Sequence, residues 1–179
     1  MALKELVILK FGGSVITDKS IPFHVRTETI DQLSQKIAVA LQTKEMALII
    51  VHGGGSFGHP LAHQYQINKG IDPSIPNQIF GIARTHHAME DLNRYIIESL
   101  IANSLPAMTF STFSSFFKDL NSNVKITCGP QLVAALSHQM IPVYYGDILF
   151  AENGNARIIS GDEIILSSES KGLCRAKMD

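Results

Sequence analysis

Cysteine is scarce in this chain of 179 residues: there are two, Cys128 and Cys174. They lie far apart and not in a metal-ligand spacing, and no signal peptide precedes them, so they fit a reducing, cytoplasmic setting. Charge of one sign is lacking as well. Lysine and arginine total 15 against 16 aspartates and glutamates, for a formal net charge of -1. The chain therefore has no global attraction to nucleic acid or to an anionic membrane, and any anion site must be local. Long apolar runs are missing too. The longest are about strand length, short of the roughly 20 residues a membrane span needs. There is no internal repeat and no low-complexity tract. What remains is 45% hydrophobic and 17% charged, the balance of a globular protein long enough for one domain with a good core.

What the chain does have is glycine in particular places. Met46-Ala-Leu-Ile-Ile-Val51 is an apolar, partly β-branched run that predicts a buried strand. His52-Gly-Gly-Gly-Ser-Phe-Gly-His59 follows it directly. Backbone without Cβ atoms turns sharply and lets a ligand lie against its N–H groups. Helix-like residues come next, from Leu61 to Tyr65, so the loop is expected to open a helix N-terminus, which favours anions. His59 closes the loop with a side chain that can donate to a phosphate. The pattern suggests a phosphate site; a tight strand–helix turn without a ligand is the alternative.

Leu6-Val-Ile-Leu-Lys-Phe11 reads as a second buried strand, with Gly12-Gly13-Ser14 at its end. Lysine is rarely buried without a partner, so Lys10 is either a phosphate ligand or a lysine that snorkels to solvent. Thr27 or Thr29 can cap a helix running to about Thr43, with Ile30, Leu33, Ile37, Ala40 and Leu41 on one face. Strand, helix, strand makes a βαβ unit with parallel strands. Residues 67 to 77 are rich in turn formers and predict an exposed excursion. Gln78 to Asn103 is the longest helical pattern, with His86 and His87 in its middle. Adjacent helical residues point in different directions, so one histidine is expected to face a partner and the other solvent, with no metal pair.

Short strands are expected at Pro106–Thr109 and Lys125–Thr127, flanking the phenylalanine-rich stretch 110–117, and a short helix from Pro130 to about His138. Ile141-Pro-Val-Tyr-Tyr145 predicts a further strand, and Asn153-Gly154 marks a hairpin between Ile148–Phe150 and Ala156–Ile159. Ser160-Gly-Asp-Glu163 reads as a cap opening a last helix. Asp147 and Asp162 thus stand where strands hand over to the next element, the edge at which open α/β sheets bind ligands. Each is either an ordinary turn aspartate or one that orients lysines or holds Mg²⁺ near phosphate.

The series Lys10-Phe-Gly-Gly-Ser14, Thr17-Asp-Lys19, His52 to His59, Tyr145-Gly-Asp147 and Ser160-Gly-Asp162 resembles the amino acid kinase superfamily, and within it the isopentenyl phosphate kinases. The resemblance runs from about Leu6 to about Lys171. It implies a three-layer αβα sandwich with a mainly parallel central sheet. It also implies ATP-dependent phosphorylation of isopentenyl phosphate to the diphosphate, a step of isoprenoid biosynthesis, with ATP and Mg²⁺ as cofactors. A small-molecule phosphate substrate and a homodimer are the partners implied; nucleic acid and membrane are not.

By the same resemblance Lys10 would stabilise charge on the transferring phosphoryl group and Lys19 would assist. Gly12, Gly13, Ser14 and Gly55 would line the ATP phosphates. Gly53, Gly54, Gly58, Gly146 and Gly161 would border the acceptor. His59, the discriminating residue, would bind the acceptor's phosphate, and Asp162 would hold the lysines. No residue is expected to ligate a metal. The apolar tail of the substrate would lie against the helix from Gln78 to Asn103 and the stretch from Phe113 to Phe117. Chains of the superfamily continue into a second half that holds adenine and ribose. The resemblance therefore implies that residues 1–179 form one domain, the acceptor-binding N-terminal part of the fold, with the nucleotide half largely absent. Other readings are a kinase of another small phosphate or phosphonate, and a phosphate-binding module without turnover.

Overall fold

The structure, a computed structural model, describes residues 5–121 and 123–170. In chain order it contains β1 (Glu5–Phe11), α1 (Gly13–Ile16), α2 (Thr27–Thr43), β2 (Met46–His52) and α3 (Gly55–Gln64). A single 3₁₀ turn follows at Ile67–Lys69, then α4 (Gln78–Ala102), β3 (Ala107–Thr109), α5 (Thr112–Ser115), β4 (Phe116–Lys118) and β5 (Val124–Ile126). The chain goes on through α6 (Gly129–Ser137), β6 (Ile141–Tyr145), β7 (Asp147–Phe150), β8 (Ala156–Ile159) and α7 (Gly161–Ser170). Cys174 and the expected end of the last helix lie outside the described residues.

Four parallel strands make the central sheet in the order β1-β2-β6-β3. Its strands alternate between two cores, because successive side chains on a strand point to opposite faces. Leu48, Ile50, Val143 and Tyr145 face the helices α2, α3 and α4. Ala47, Ile49, Val51 and Tyr144 face α6, α7 and the aromatic residues Phe110 and Phe116. With both faces covered, β2 is apolar from Met46 to Val51 rather than alternating, as buried parallel strands are. The result is the expected α/β sandwich with a mainly parallel sheet. The remaining strands form two antiparallel ribbons outside it, β4–β5 and β7–β8. The β7–β8 turn is the one signalled by Asn153-Gly154, where Gly154 has a positive φ of 76°.

Three local expectations change. No threonine caps α2: its N-cap is Arg26, without a side-chain cap, and Thr27 is already helical. The excursion after α3 is tied down rather than loose. Ile67 is fully buried with Ile82, Ile148 and Ala156, and the Gln78 side chain bonds the backbone of Tyr65, Gly70 and Asp72. The glycine loop is also shorter than expected, since α3 begins at Gly55 and not near Leu61. Gly55 has φ +47, so the chain turns from strand into helix within two residues, a conformation that L side chains rarely adopt. His59 consequently sits on the helix and does not close a loop. Among the described residues no helix is long and apolar enough to cross a membrane.

Candidate functional site

The carboxyl ends of β1, β2 and β6 meet where the glycine loops leave the sheet, the edge at which α/β sheets hold ligands. The two loops touch. A Cβ added to Gly13 would lie 2.5 Å from the Gly55 nitrogen, so only glycine permits the approach. Thr17 locks the contact: its hydroxyl donates to the Gly13 carbonyl at 2.6 Å and accepts from the Ser56 N–H at 2.9 Å.

Lys10 stands at this junction, partly exposed, and its Nζ donates to Asp162 Oδ1 at 2.6 Å. Asp162 is brought there by α7, whose first turn closes in a capping box. Ser160 N–H donates to Glu163 Oε2 at 2.9 Å, and Glu163 N–H to Ser160 Oγ at 3.2 Å. With Glu163 engaged by Ser160 and by Lys118, Asp162 is the first-turn carboxylate left to face Lys10.

Behind the pair lies a cavity of about 200 Å³. Lys10, Gly13, Gly53, Gly54, Gly58, His59, Gly146, Gly161 and Asp162 all line it. The other wall is apolar, formed by Met89 of α4 and by Ile148, Ile158 and Ile159 of the β7–β8 ribbon, with Thr85 and Asp147 beside them. The cavity thus has a cationic, glycine-lined end and an apolar end. His59 is exposed at its border, on the second turn of α3. Four expected residues are not in its lining. Lys19 and Ser14 are exposed outside it, Gly12 lines a neighbouring surface groove with Lys10 and Val15, and Gly55 is buried in the contact with Gly13 and Thr17. A larger cavity of about 420 Å³ lies at the opposite, amino-terminal ends of the strands, among Lys44, Met46, His138 and Ile141. It contains none of the expected site residues.

Two groups went unmarked in the motif. His52, the last residue of β2, is fully buried. Its ring lies 5.4 Å from that of Tyr145, near-parallel, with Nε2 3.3 Å from Asn93 Oδ1 and Nδ1 3.2 Å from the Gly53 carbonyl. Burial pushes its pKa down to about 4, against the pull of those two acceptors, so the ring is neutral at pH 7. His86 is the second. Its Nδ1 is 2.8 Å from Asp147 Oδ2, and that hydrogen bond raises its pKa, with burial opposing. Asp147 is itself raised, because burial outweighs the hydrogen bond from His86. His87 is largely exposed, so the expected division between the two histidines holds. Among the described residues no cluster of three or more histidines, cysteines and carboxylates could hold a metal ion.

Residues 5–167 match the model of the amino acid kinase family. The chain belongs to the amino acid kinase family. Its relatives include the isopentenyl phosphate kinase of Methanocaldococcus jannaschii, 35% identical over 176 residues, which cover 93% of this chain and 65% of the relative. A solved isopentenyl phosphate kinase structure superposes with a TM-score of 0.79 at 30% identity, over 89% of this chain and 65% of that one. The product complex of the isopentenyl phosphate kinase of T. acidophilum gives 0.77 at 28% identity, over 92% and 64%. The chain therefore spans just under two thirds of the length of these family members.

Proposed function

We propose that the chain serves ATP-dependent phosphorylation of isopentenyl phosphate, as the acceptor-binding part of an amino acid kinase fold. One observation carries this reading. Lys10 and His59 line the same cavity as the apolar wall of Met89, Ile148 and Ile158. A phosphate monoester with a short apolar tail needs both ends. The relatives of the family named isopentenyl phosphate kinase support the choice of acceptor.

The residues fit the phosphate end of ATP. α1 starts at Gly13 and α3 at Gly55, each preceded by a glycine N-cap without a side-chain cap. Apart from those of Val15, Ser56 and Phe57, which bond Gly12, Thr17 and Gly54, the N–H groups of these first turns favour anions. ATP supplies the phosphoryl group. Lys10 neutralises charge where the two anions meet, Asp162 keeps the lysine in place, and His59 holds the acceptor's phosphate. Transfer between phosphates needs positioning and charge neutralisation more than a base, and the acceptor is already an anion. Mg²⁺ would arrive on the nucleotide, consistent with its preference for substrate phosphates over an all-protein cage. Ser14, on α1, and Lys19, on the segment after it, would act only if that part of the chain closes over the cavity. A homodimer and a cytoplasmic setting complete the proposal.

The test is a coupled ADP-release assay with isopentenyl phosphate, alongside other small phosphates and phosphonates. Turnover with isopentenyl phosphate at the highest kcat/KM supports the reading. Higher kcat/KM for another acceptor reassigns the substrate, and no ADP above background from folded protein rejects catalysis by this chain.

A further inference from the structure

The apolar end of the cavity has two sides. One belongs to α4, through Thr85 and Met89; the other belongs to the β7–β8 ribbon, through Ile148 and Ile158, which are cross-strand partners. The gap between them sets the width of the apolar end. Among the described residues, one side-chain hydrogen bond joins α4 to this ribbon, that of His86 to Asp147.

The geometry of that bond is specific. Asp147 opens β7, and its side chain has no exposed surface. The His86 ring meets both carboxylate oxygens, at 3.1 and 2.8 Å from Nδ1. Its Nε2 lies 3.5 Å from Glu90 Oε1, one turn further along α4. A carboxylate therefore faces each ring nitrogen, so the doubly protonated ring suits the position. Phe113 of α5 lies beside the ring at 5.4 Å. The charged and titratable groups around His86 are Asp147 of β7 and Glu90 of α4, with the phenol of Tyr145 in β6 close to both carboxylates. A carboxylate buried as Asp147 is requires a partner, and His86 supplies it from the facing element. Thr85, the neighbour of His86, and Met89, three residues on, are the two α4 residues that line the cavity.

We infer that the His86–Asp147 pair is a positioning device that sets the spacing between α4 and the β7–β8 ribbon, and with it the fit of the substrate's apolar group, as distinct from its phosphate. The inference rests on the phosphate-plus-tail reading given above. Neither residue acts on the reacting atoms. Loss of the pair loosens the apolar end and leaves the Lys10 and His59 end as it was. Because the hydrogen bond to Asp147 favours the protonated ring, with burial opposing, deprotonation weakens the clasp. Discrimination should therefore fall as pH rises past the His86 pKa.

The experiment measures calorimetric Kd values for isopentenyl phosphate and for inorganic phosphate, from pH 6 to pH 9. It uses the intact chain, His86→Gln and Asp147→Asn, each first checked for folding by circular dichroism. The quantity of interest is the ratio of the two Kd values. In the unsubstituted chain the preference for isopentenyl phosphate should fall roughly fivefold or more across the range. In His86→Gln it should be low and flat with pH, with phosphate affinity held within about twofold. Asp147→Asn should lower the ratio likewise, with no expectation set for its phosphate affinity because Asp147 itself lines the cavity; should it not fold, His86→Gln carries the test, since its neutral amide makes only a weaker, pH-independent hydrogen bond to Asp147. Equal ratios in the unsubstituted chain and His86→Gln at every pH overturn the inference while leaving the proposed function standing. Binding of neither anion by the unsubstituted chain overturns both.

Discussion

Lys10 and Asp162 are separated by 152 positions, and their side chains meet at 2.6 Å at the mouth of the cavity. The pair is exposed, 38% and 69% by side chain, so its worth to stability is small, within about 1 kcal/mol. In the proposed reaction its value would lie in aiming the ammonium group. Asp162→Asn is expected to leave the melting temperature within about 3 °C while lowering the rate of ADP release. Lys10→Met should cost more, on the order of a hundredfold in kcat, the scale of removing one preorganised charge donor. Equal rates for Lys10→Met and the unsubstituted chain would sink the role assigned to Lys10.

His59→Ala removes an exposed side chain from the surface of α3. Helix propensity favours alanine there, so unfolding by urea should be unchanged or slightly harder. Affinity for isopentenyl phosphate should drop roughly tenfold or more, the loss of about one charge-assisted hydrogen bond. Calorimetry on the folded variant decides, and undiminished binding would remove His59 from the site.

Gly13→Ala tests the contact of the two loops. The new methyl would fall 2.5 Å from the Gly55 nitrogen, a backbone atom that cannot swing aside. Overpacking of this kind costs about 1–3 kcal/mol. Thermal unfolding should drop by several degrees, and phosphate binding should weaken with it. A variant as stable as the unsubstituted chain would mean that the loops separate freely.

Acid should destabilise the protein through His52. Its folded pKa is depressed to about 4 from 6.5. Below pH 6.5 the unfolded chain takes up a proton that the folded chain refuses, so stability is present above the ordinary histidine value and is lost as pH falls toward 4. The expected loss between pH 6.5 and pH 5 is about 2 kcal/mol from this residue. Urea titrations at several pH values read it, and His52→Gln should flatten that part of the profile. A profile equally steep in the variant would assign the acid sensitivity to other groups.

Much of the fold was legible because its signals are local. The unbroken apolar run of β2 announced a strand buried on both faces, and Asn153-Gly154 announced the β7–β8 turn. The spacing of Leu92, Ile96 and Leu100 announced α4, and all three are fully buried. The glycine pattern also located the sheet edge at which the cavity lies. The start of α3 was misjudged, because glycine's low helix propensity hides a helix whose first residue needs a positive φ. The buried Ile67 was misjudged as well, since a run of turn formers says nothing of the ribbon packed over it.

The site divides in the same way. Residue types were set by the sequence alone: a lysine and glycines at one strand end, a histidine after the next loop, and an aspartate at the start of the last helix. Those choices are what suggested a phosphate site, because charge and absent Cβ atoms are properties of single residues. Tertiary structure alone decided which of them share a cavity. It joined Lys10 to Asp162, left Lys19 and Ser14 outside, buried His52 as a neutral ring, and set His86 on Asp147. The reason is physical: burial and partner distance, which govern both charge and reach, depend on elements far apart in the chain being packed side by side.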